Sequence, residues 1–167
     1  MILGCKGKRK TNRTFLLVVV YKNNAHCLIF KSSSILDPCP ENWQQIELGC
    51  YLFVKDYALF SNAEQNCRNL DAELFEPDDA EVNNHVFEAA RSENMGCSWV
   101  GITDIEGQGN FVYNSDYTEI VWTNWLHETS HPADGLQCVA EYATNHGKWV
   151  QENCENNFHQ YICQKFV

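Results

Sequence analysis

The stretch HETSH at residues 127–131 fits the H-E-x-x-H pattern of zinc hydrolases. In such a site two histidines one helical turn apart bind Zn²⁺, and the glutamate acts as general base on the metal-bound water. The flanking residues disfavour that helix, because Thr129 and Ser130 are poor helix formers and Pro132 biases its predecessor away from helical backbone. The extended form of the motif also lacks its third histidine. Zinc hydrolysis is therefore a remote alternative. The weak candidate metal ligands are His127, Glu128 and His131, and two exposed loop histidines are the simpler interpretation.

The cysteines favour disulfides over structural zinc. The chain has nine, far more than a cytosolic enzyme usually carries, and none of them forms the C-x-x-C pair from which compact zinc sites are built. A disulfide framework in an oxidising compartment is the better interpretation. Because nine is odd, at least one thiol is free or pairs with another chain.

Charge separates the chain into two parts. Residues 1–38 hold seven Lys/Arg and one acid, whereas residues 39–167 hold five bases and 21 acids. The first part has a basic region before the apolar run at 15–21, without a cleavage site, and we interpret it as an atypical signal-like or disordered extension. That run is too short to span a bilayer. The acidic second part should repel nucleic acid and anionic lipid.

Two helices are predicted in the first half of residues 39–167. The first begins at a capping box, Ser61 with Glu64, and the second begins with Asp78 as its cap and Glu81 three residues later. Apolar residues recur at helical spacing behind both caps: Ala63, Cys67 and Leu70, then Val82, Val86 and Ala89. His85 is predicted at the helix surface. The acids around the second cap are interpreted as a solvated face: Glu73, Glu76, Asp78, Asp79 and Glu81.

After Cys97 the helix signals stop. Short strand-like runs follow, separated by Gly, Asn, Asp and Ser: CSWVGITD, NFVYNS, EIVWTNW, LQCVAEYA, KWVQENC and QYICQKF. CPENWQQIELGCYLF, at the start of the domain, suits a disulfide-closed hairpin leading into a strand. The pattern predicts an α+β fold with two helices packed on short antiparallel sheets.

The landmarks CPENW…GCYLF, AEQNC, WVGITD, EG…FVY, TNW, QCV, KWVQENC and YIC follow the order and spacing of a C-type lectin-like domain, which residues 39–166 resemble. The resemblance implies a double-loop fold with a long loop between central strands, and core packing by Trp99, Gly101, Trp125 and Trp149. By position it implies three disulfides: Cys39–Cys50, Cys67–Cys163 and Cys138–Cys154. Cys5, Cys27 and Cys97 are left over. For Cys97 a bridge to a second chain, a bridge to the N-terminal segment and a free thiol remain open.

The resemblance also implies where a calcium-dependent member would bind sugar, and this chain departs from that pattern. Val150 and Gln151 follow Trp149 where Asn and Asp are expected, and Leu136 stands where an acid precedes Cys138. The sugar-specifying triplet is either 128–130 or 131–133, and on both alignments most oxygen ligands are missing. Calcium wants six to eight oxygens. No cofactor is therefore expected, and calcium would find the family's ligands mostly absent.

These observations predict a secreted, non-enzymatic recognition module. The expected ligand is a glycan or glycoprotein bound through the long-loop face, and the alternative is calcium-independent binding of a protein partner. The candidate ligand-binding residues are Glu128, His131, Asp134, Gln151 and Glu152. A disulfide-linked dimer through Cys97 is also considered.

Overall fold

The strands form one mixed sheet around which the two helices pack. The structure is a computed structural model, and it describes residues 39–104, 106–127, 136–143 and 146–166. Their elements are β1 (Gln44–Ile46), β2 (Gly49–Ala58), α1 (Phe60–Arg68), β3 (Glu73–Leu74), α2 (Ala80–Ser92), β4 (Cys97–Asp104), β5 (Val112–Tyr113), β6 (Gln137–Tyr142), β7 (Lys148–Asn153) and β8 (His159–Phe166).

The strand order is β1-β2-β8-β4-β6-β7, with β3 paired to β8 and β5 paired to β4. All pairs are antiparallel except β4 with β8, which is parallel at Trp99 and Tyr161. The predicted α+β class is confirmed, and the β4–β8 pair is parallel where the prediction was antiparallel. Of the predicted runs, EIVWTNW forms no strand. Its side chains pack against Trp149, and only isolated bridges occur there.

The three predicted disulfides are present: Cys39–Cys50, Cys67–Cys163 and Cys138–Cys154. Cys67 lies on the buried face of α1, as its helical spacing predicts, and reaches the terminal strand β8. The first bridge closes the hairpin of β1 and β2. The third ties β6 to the end of β7, so the bridges fix both sides of the sheet.

Both helix caps differ from the predictions. α1 begins at Phe60, its cap residue Leu59 makes no side-chain hydrogen bond, and Glu64 pairs with Arg68 instead of closing a capping box. Burial of the Phe60 ring against Trp99 positions this helix start. α2 is capped by Asp79, whose carboxylate accepts from the backbone N–H of Val82 at 2.8 Å, one residue later than predicted.

Other predicted positions have mixed outcomes. Ala63, Val86 and Ala89 are buried as expected, and His85 is exposed, but Leu70 lies beyond α1 and is exposed. Neither helix among the described residues has the length and apolarity to cross a membrane.

Trp99 and Trp149 are fully buried and organise separate parts of the core. Trp99 packs with α1 and donates its indole N–H to the Ala58 carbonyl at 2.8 Å. Trp149 donates to the Asn83 side chain on α2, and packs under the segment that follows β5. Gly101 has no room for a side chain, because a Cβ there would lie 3.0 Å from the Leu74 carbonyl.

Candidate ligand-binding face on the long loop

The long loop is the stretch between the end of β4 and the start of β6, residues 105–136, of which the structure describes 106–127 and 136. Asp104 holds its first turn: one carboxylate oxygen accepts from the N–H of Gln108 at 3.2 Å and the other from Gly109 at 2.6 Å. Gly109 has φ +85°, which favours glycine. Asp104 is fully buried, so these hydrogen bonds are what satisfy its carboxylate.

The loop then folds back through β5 in a tight turn. Tyr113 donates its backbone N–H to the Thr118 carbonyl, and the Asp116 carboxylate accepts from both the N–H and the hydroxyl of Thr118. These hydrogen bonds lower the pKa of Asp116. The turn places two of its side chains, Tyr117 and Glu119, on the surface.

Backbone hydrogen bonds fasten the return limb to β7. Trp149 donates to the Asn124 carbonyl at 3.0 Å, and Leu126 donates to the Trp149 carbonyl at 2.9 Å. The Asn124 side chain adds two more links, donating to the Gly147 carbonyl and accepting from the Lys148 ammonium at 2.7 Å. The limb is thus held as if it were a short extra strand.

Aromatic rings fill the space beneath this limb. Trp122 and Trp125 both meet Trp149 edge to face, and Phe111 lies 4.9 Å from Trp125 between ring centroids. Beside Phe111 and Trp125 the surface opens into a groove of about 460 Å³. We call it the loop groove; its lining is Gly109, Asn110, Phe111, Val112, Glu119, Ile120 and Trp125.

Sequence reasoning placed Trp125 in the core only and missed this groove. The signal for it is modest: five aromatic residues and three aliphatic ones occur between 111 and 125 without a strand period. The groove is lined by the largely buried ring of Phe111 and the half-buried ring of Trp125, beside the exposed residues Asn110 and Glu119. That mixture of apolar surface and few polar groups is typical of small-ligand sites.

The predicted site residues are only partly described. Glu128, His131 and Asp134 lie outside the described residues. Of HETSH only His127 is described, and it is exposed at a bend that follows Trp125.

Gln151 and Glu152 are neighbours on β7, so their side chains point to opposite faces of the sheet. Glu152 accepts from the Tyr142 hydroxyl at 2.6 Å and from the Asn157 amide. Its two carboxylate oxygens are therefore engaged within the domain. Gln151 is half-buried on the Trp149 side of β7.

The described positions equivalent to calcium ligands do not fit calcium. Leu136 is 40% exposed and Val150 half-buried, and both are hydrocarbon side chains. Gln151 can offer one amide oxygen. Because calcium needs six to eight oxygens, this part of the face lacks most of the necessary ligands.

A separate polar link joins the loop to the helical half of the domain. Glu76 accepts from both the N–H and the hydroxyl of Ser115, at 2.8 and 2.7 Å. Burial raises the pKa of Glu76 to about 7, although these hydrogen bonds act in the opposite direction. Glu76 thus differs from the predicted solvated acidic face, whose other members, Glu73, Asp78, Asp79 and Glu81, are exposed.

Comparison with known proteins identifies the class. The model of the Lectin C-type domain matches residues 58–165, and the chain belongs to that family. This agrees with the three disulfides, the two helices and the long loop.

Individual relatives are distant. A perlucin-like protein of Mytilus galloprovincialis is 22% identical over 127 residues, covering 75% of this chain and 81% of the relative. The low affinity immunoglobulin epsilon Fc receptor of Mus musculus is 22% identical over 141 residues, and this match covers 84% of this chain. The chain spans only 41% of that receptor. Among solved structures, the cow carbohydrate-recognition domain of CD23, crystallised in the presence of a GlcNAc2Man3 oligosaccharide, superposes with a TM-score of 0.68 at 26% identity, covering 78% of this chain and 97% of that one.

Proposed function

We propose that this C-type lectin domain is a secreted, non-enzymatic recognition module that binds a glycan or glycoprotein through its long-loop face, without the family's calcium coordination. The loop groove carries the proposal. The half-buried ring of Trp125, packed against Phe111, suits the apolar face of a sugar, and Asn110 and Glu119 can exchange hydrogen bonds with hydroxyls. The similarity to the cow CD23 domain, a carbohydrate-recognition domain crystallised in the presence of an oligosaccharide, supports a glycan as ligand.

The loss of calcium coordination rests on Leu136, Val150 and Gln151, which supply one candidate oxygen between them. Secretion is supported by three disulfides, which persist in oxidising compartments. Glu128, His131 and Asp134 belong to the same long loop in the sequence, and Gln151 lies on β7. They remain part of the proposal.

A glycan array probed with and without chelator tests the ligand class. We expect glycan binding that chelator does not abolish, because the described face lacks most calcium ligands. Binding that disappears with chelator would contradict the calcium part of the proposal, and binding to no glycan under either condition would contradict the ligand class.

Variants then locate the site on any glycan found. Asn110→Ala and Glu119→Gln change exposed groups of the loop groove and leave the aromatic core intact. We expect each to weaken binding at least several-fold. Glu88→Gln, an exposed change on α2, is the charge-matched control and should bind normally. Unchanged binding in both groove variants would place the site elsewhere on the loop, where Glu128→Gln and His131→Gln are the next variants.

A protein partner is the second candidate, and the charge of the loop favours it. Residues 106–127 hold three acids, Glu106, Asp116 and Glu119, and no Lys or Arg. Exposed apolar side chains lie among them, with Val121 76% and Tyr117 58% exposed. A basic protein surface complements this face. Saturable binding to such a partner, unaffected by sugars and weakened by salt, would favour this candidate over the glycan.

A further inference from the structure

Three potential metal ligands that do not belong to the long loop converge at the junction of the β1–β2 turn and α2. Glu81 and His85 are one turn apart on α2, and Glu47 lies in the turn of the hairpin. His85 Nδ1 lies 2.8 Å from Glu47 Oε1, and the ligand atoms of all three residues lie within 4.8 Å of one another. Tetrahedral zinc places neighbouring ligand atoms about 3.3 Å apart, given Zn–N and Zn–O bonds near 2 Å. All three side chains are exposed, so they can rotate about their own bonds towards that spacing.

The backbones that carry these ligands are fixed by a packed core. Ile46, next to Glu47, packs in one apolar cluster with Val82 and Val86, which flank Glu81 and His85 on α2. The Cys39–Cys50 disulfide closes the hairpin behind the turn. The ligand set therefore joins two elements of fixed relative position, as a metal site with low reorganisation cost requires.

The local potential favours a cation. Tyr51, beneath the turn, has its pKa raised to about 12, first by burial and then by Glu47, Asp78 and Asp79. Asp79 caps α2, which carries Glu81 and His85, and residues 39–167 hold 21 acids against five bases. An imidazole with two carboxylates is a donor set that zinc accepts, whereas calcium prefers oxygen ligands alone and more of them.

We propose that Glu47, Glu81 and His85 bind a zinc ion that clamps the β1–β2 hairpin to α2, with solvent in its fourth coordination position. The three side chains are exposed, so an ion has direct access to them. This site shares no residue with the loop groove or with HETSH, and it does not depend on the nature of the domain's ligand.

Thermal unfolding of the metal-stripped chain with added Zn²⁺ tests the site. Zinc binds the folded state, so we expect Tm to rise by several degrees as zinc is added. His85→Gln and Glu81→Gln should lose most of that rise while unfolding normally without metal. Glu88→Gln, on an exposed position of the same helix, should retain it, and so should the double variant His127→Gln/His131→Gln.

Isothermal titration gives the second measurement. The Kd for Zn²⁺ should weaken at least tenfold in His85→Gln, and Ca²⁺ should bind more weakly than Zn²⁺ in the unchanged chain. The proposal is overturned by the absence of any zinc effect, by a response that survives His85→Gln, or by one that the double histidine variant removes, since the last result moves the zinc to HETSH.

Discussion

At the scale of single residues, Glu141 is a carboxylic acid held almost entirely out of solvent. It lies on β6, is 2% exposed, and has a carboxylate oxygen without a hydrogen-bond partner. Burial raises its pKa to about 8 from an ordinary 4.5. The folded protein thus holds Glu141 protonated at neutral pH, whereas the unfolded chain ionises it freely.

The sign of the pH dependence follows. A raised folded-state pKa gives stability that is fully present below pH 4.5 and is lost as pH rises towards 8. Glu76, with a pKa of about 7, acts in the same direction over a lower range. Between pH 7.5 and 9 Glu141 dominates and should cost about 1 kcal/mol of unfolding free energy. Urea unfolding at both pH values measures this, and Glu141→Gln should lose that portion of the pH dependence. Equal slopes for the two proteins would contradict it.

Cys97 is a second residue whose surroundings determine its chemistry. It is the unpaired cysteine among the described residues and is half-buried at the start of β4. Burial raises the pKa of its thiol to about 12, with Glu152 and Glu141 adding to the shift and a hydrogen bond with Tyr142 opposing it. Because thiolate is the reactive form, we expect slow modification in the native protein and fast modification in urea. A maleimide time course measures both. Rapid labelling of the native protein would contradict this expectation. A dimer on a non-reducing gel that Cys97→Ser abolishes would favour a disulfide between two chains.

At the scale of elements, the helix caps provide a matched pair of variants. Asp79 accepts a hydrogen bond from Val82, whereas no side chain caps α1 and Ser61 is an exposed residue within it. Asp79→Ala should therefore cost about 1 kcal/mol of unfolding free energy, and Ser61→Ala close to none. Denaturant unfolding compares them directly. A larger cost for Ser61→Ala would restore the capping box as the start of α1.

The same elements explain how far the sequence determines the fold. β4 covers the whole predicted run CSWVGITD. Its apolar residues favour a strand, and Gly96 marks the break before it. The start of α1 was missed because burial of Phe60 against Trp99, a long-range contact, overrides the local cap signal. The composition of EIVWTNW predicts a strand, but Trp122 and Trp125 pack against Trp149 and the segment forms no strand.

The candidate site was harder to predict for a similar reason. The resemblance to C-type lectin-like domains implies the long loop and the expected calcium positions, where Leu136 and Val150 offer no side-chain oxygen. The loop groove depends on how Phe111 and Trp125 stack, and the cluster of Glu47, Glu81 and His85 joins residues that lie 38 apart in sequence. A sequence pattern predicts neither the packing of Phe111 on Trp125 nor the approach of Glu47 to His85.

At the scale of the whole molecule, the disulfides should contribute unequally to the free energy of unfolding. Cys67–Cys163 spans 96 residues and joins α1 to the last strand, whereas Cys39–Cys50 spans 11 and closes one hairpin. A cross-link restricts the unfolded chain more when it closes a longer loop, about 4.7 kcal/mol for ~100 residues against about 3 for ~15. The fold should therefore depend more on the long bridge.

We expect Cys67→Ala/Cys163→Ala to lose about 1 to 2 kcal/mol more unfolding free energy than Cys39→Ala/Cys50→Ala. Burial adds to the difference, because Cys67 and Cys163 are fully buried in the core and Cys39 is half-buried at the edge of the domain. Urea unfolding of both double variants measures it, with circular dichroism as the check that each still folds. Equal losses would show that hairpin closure, and with it the fixed frame of the proposed zinc site, matters as much to the domain as the bridge through its core.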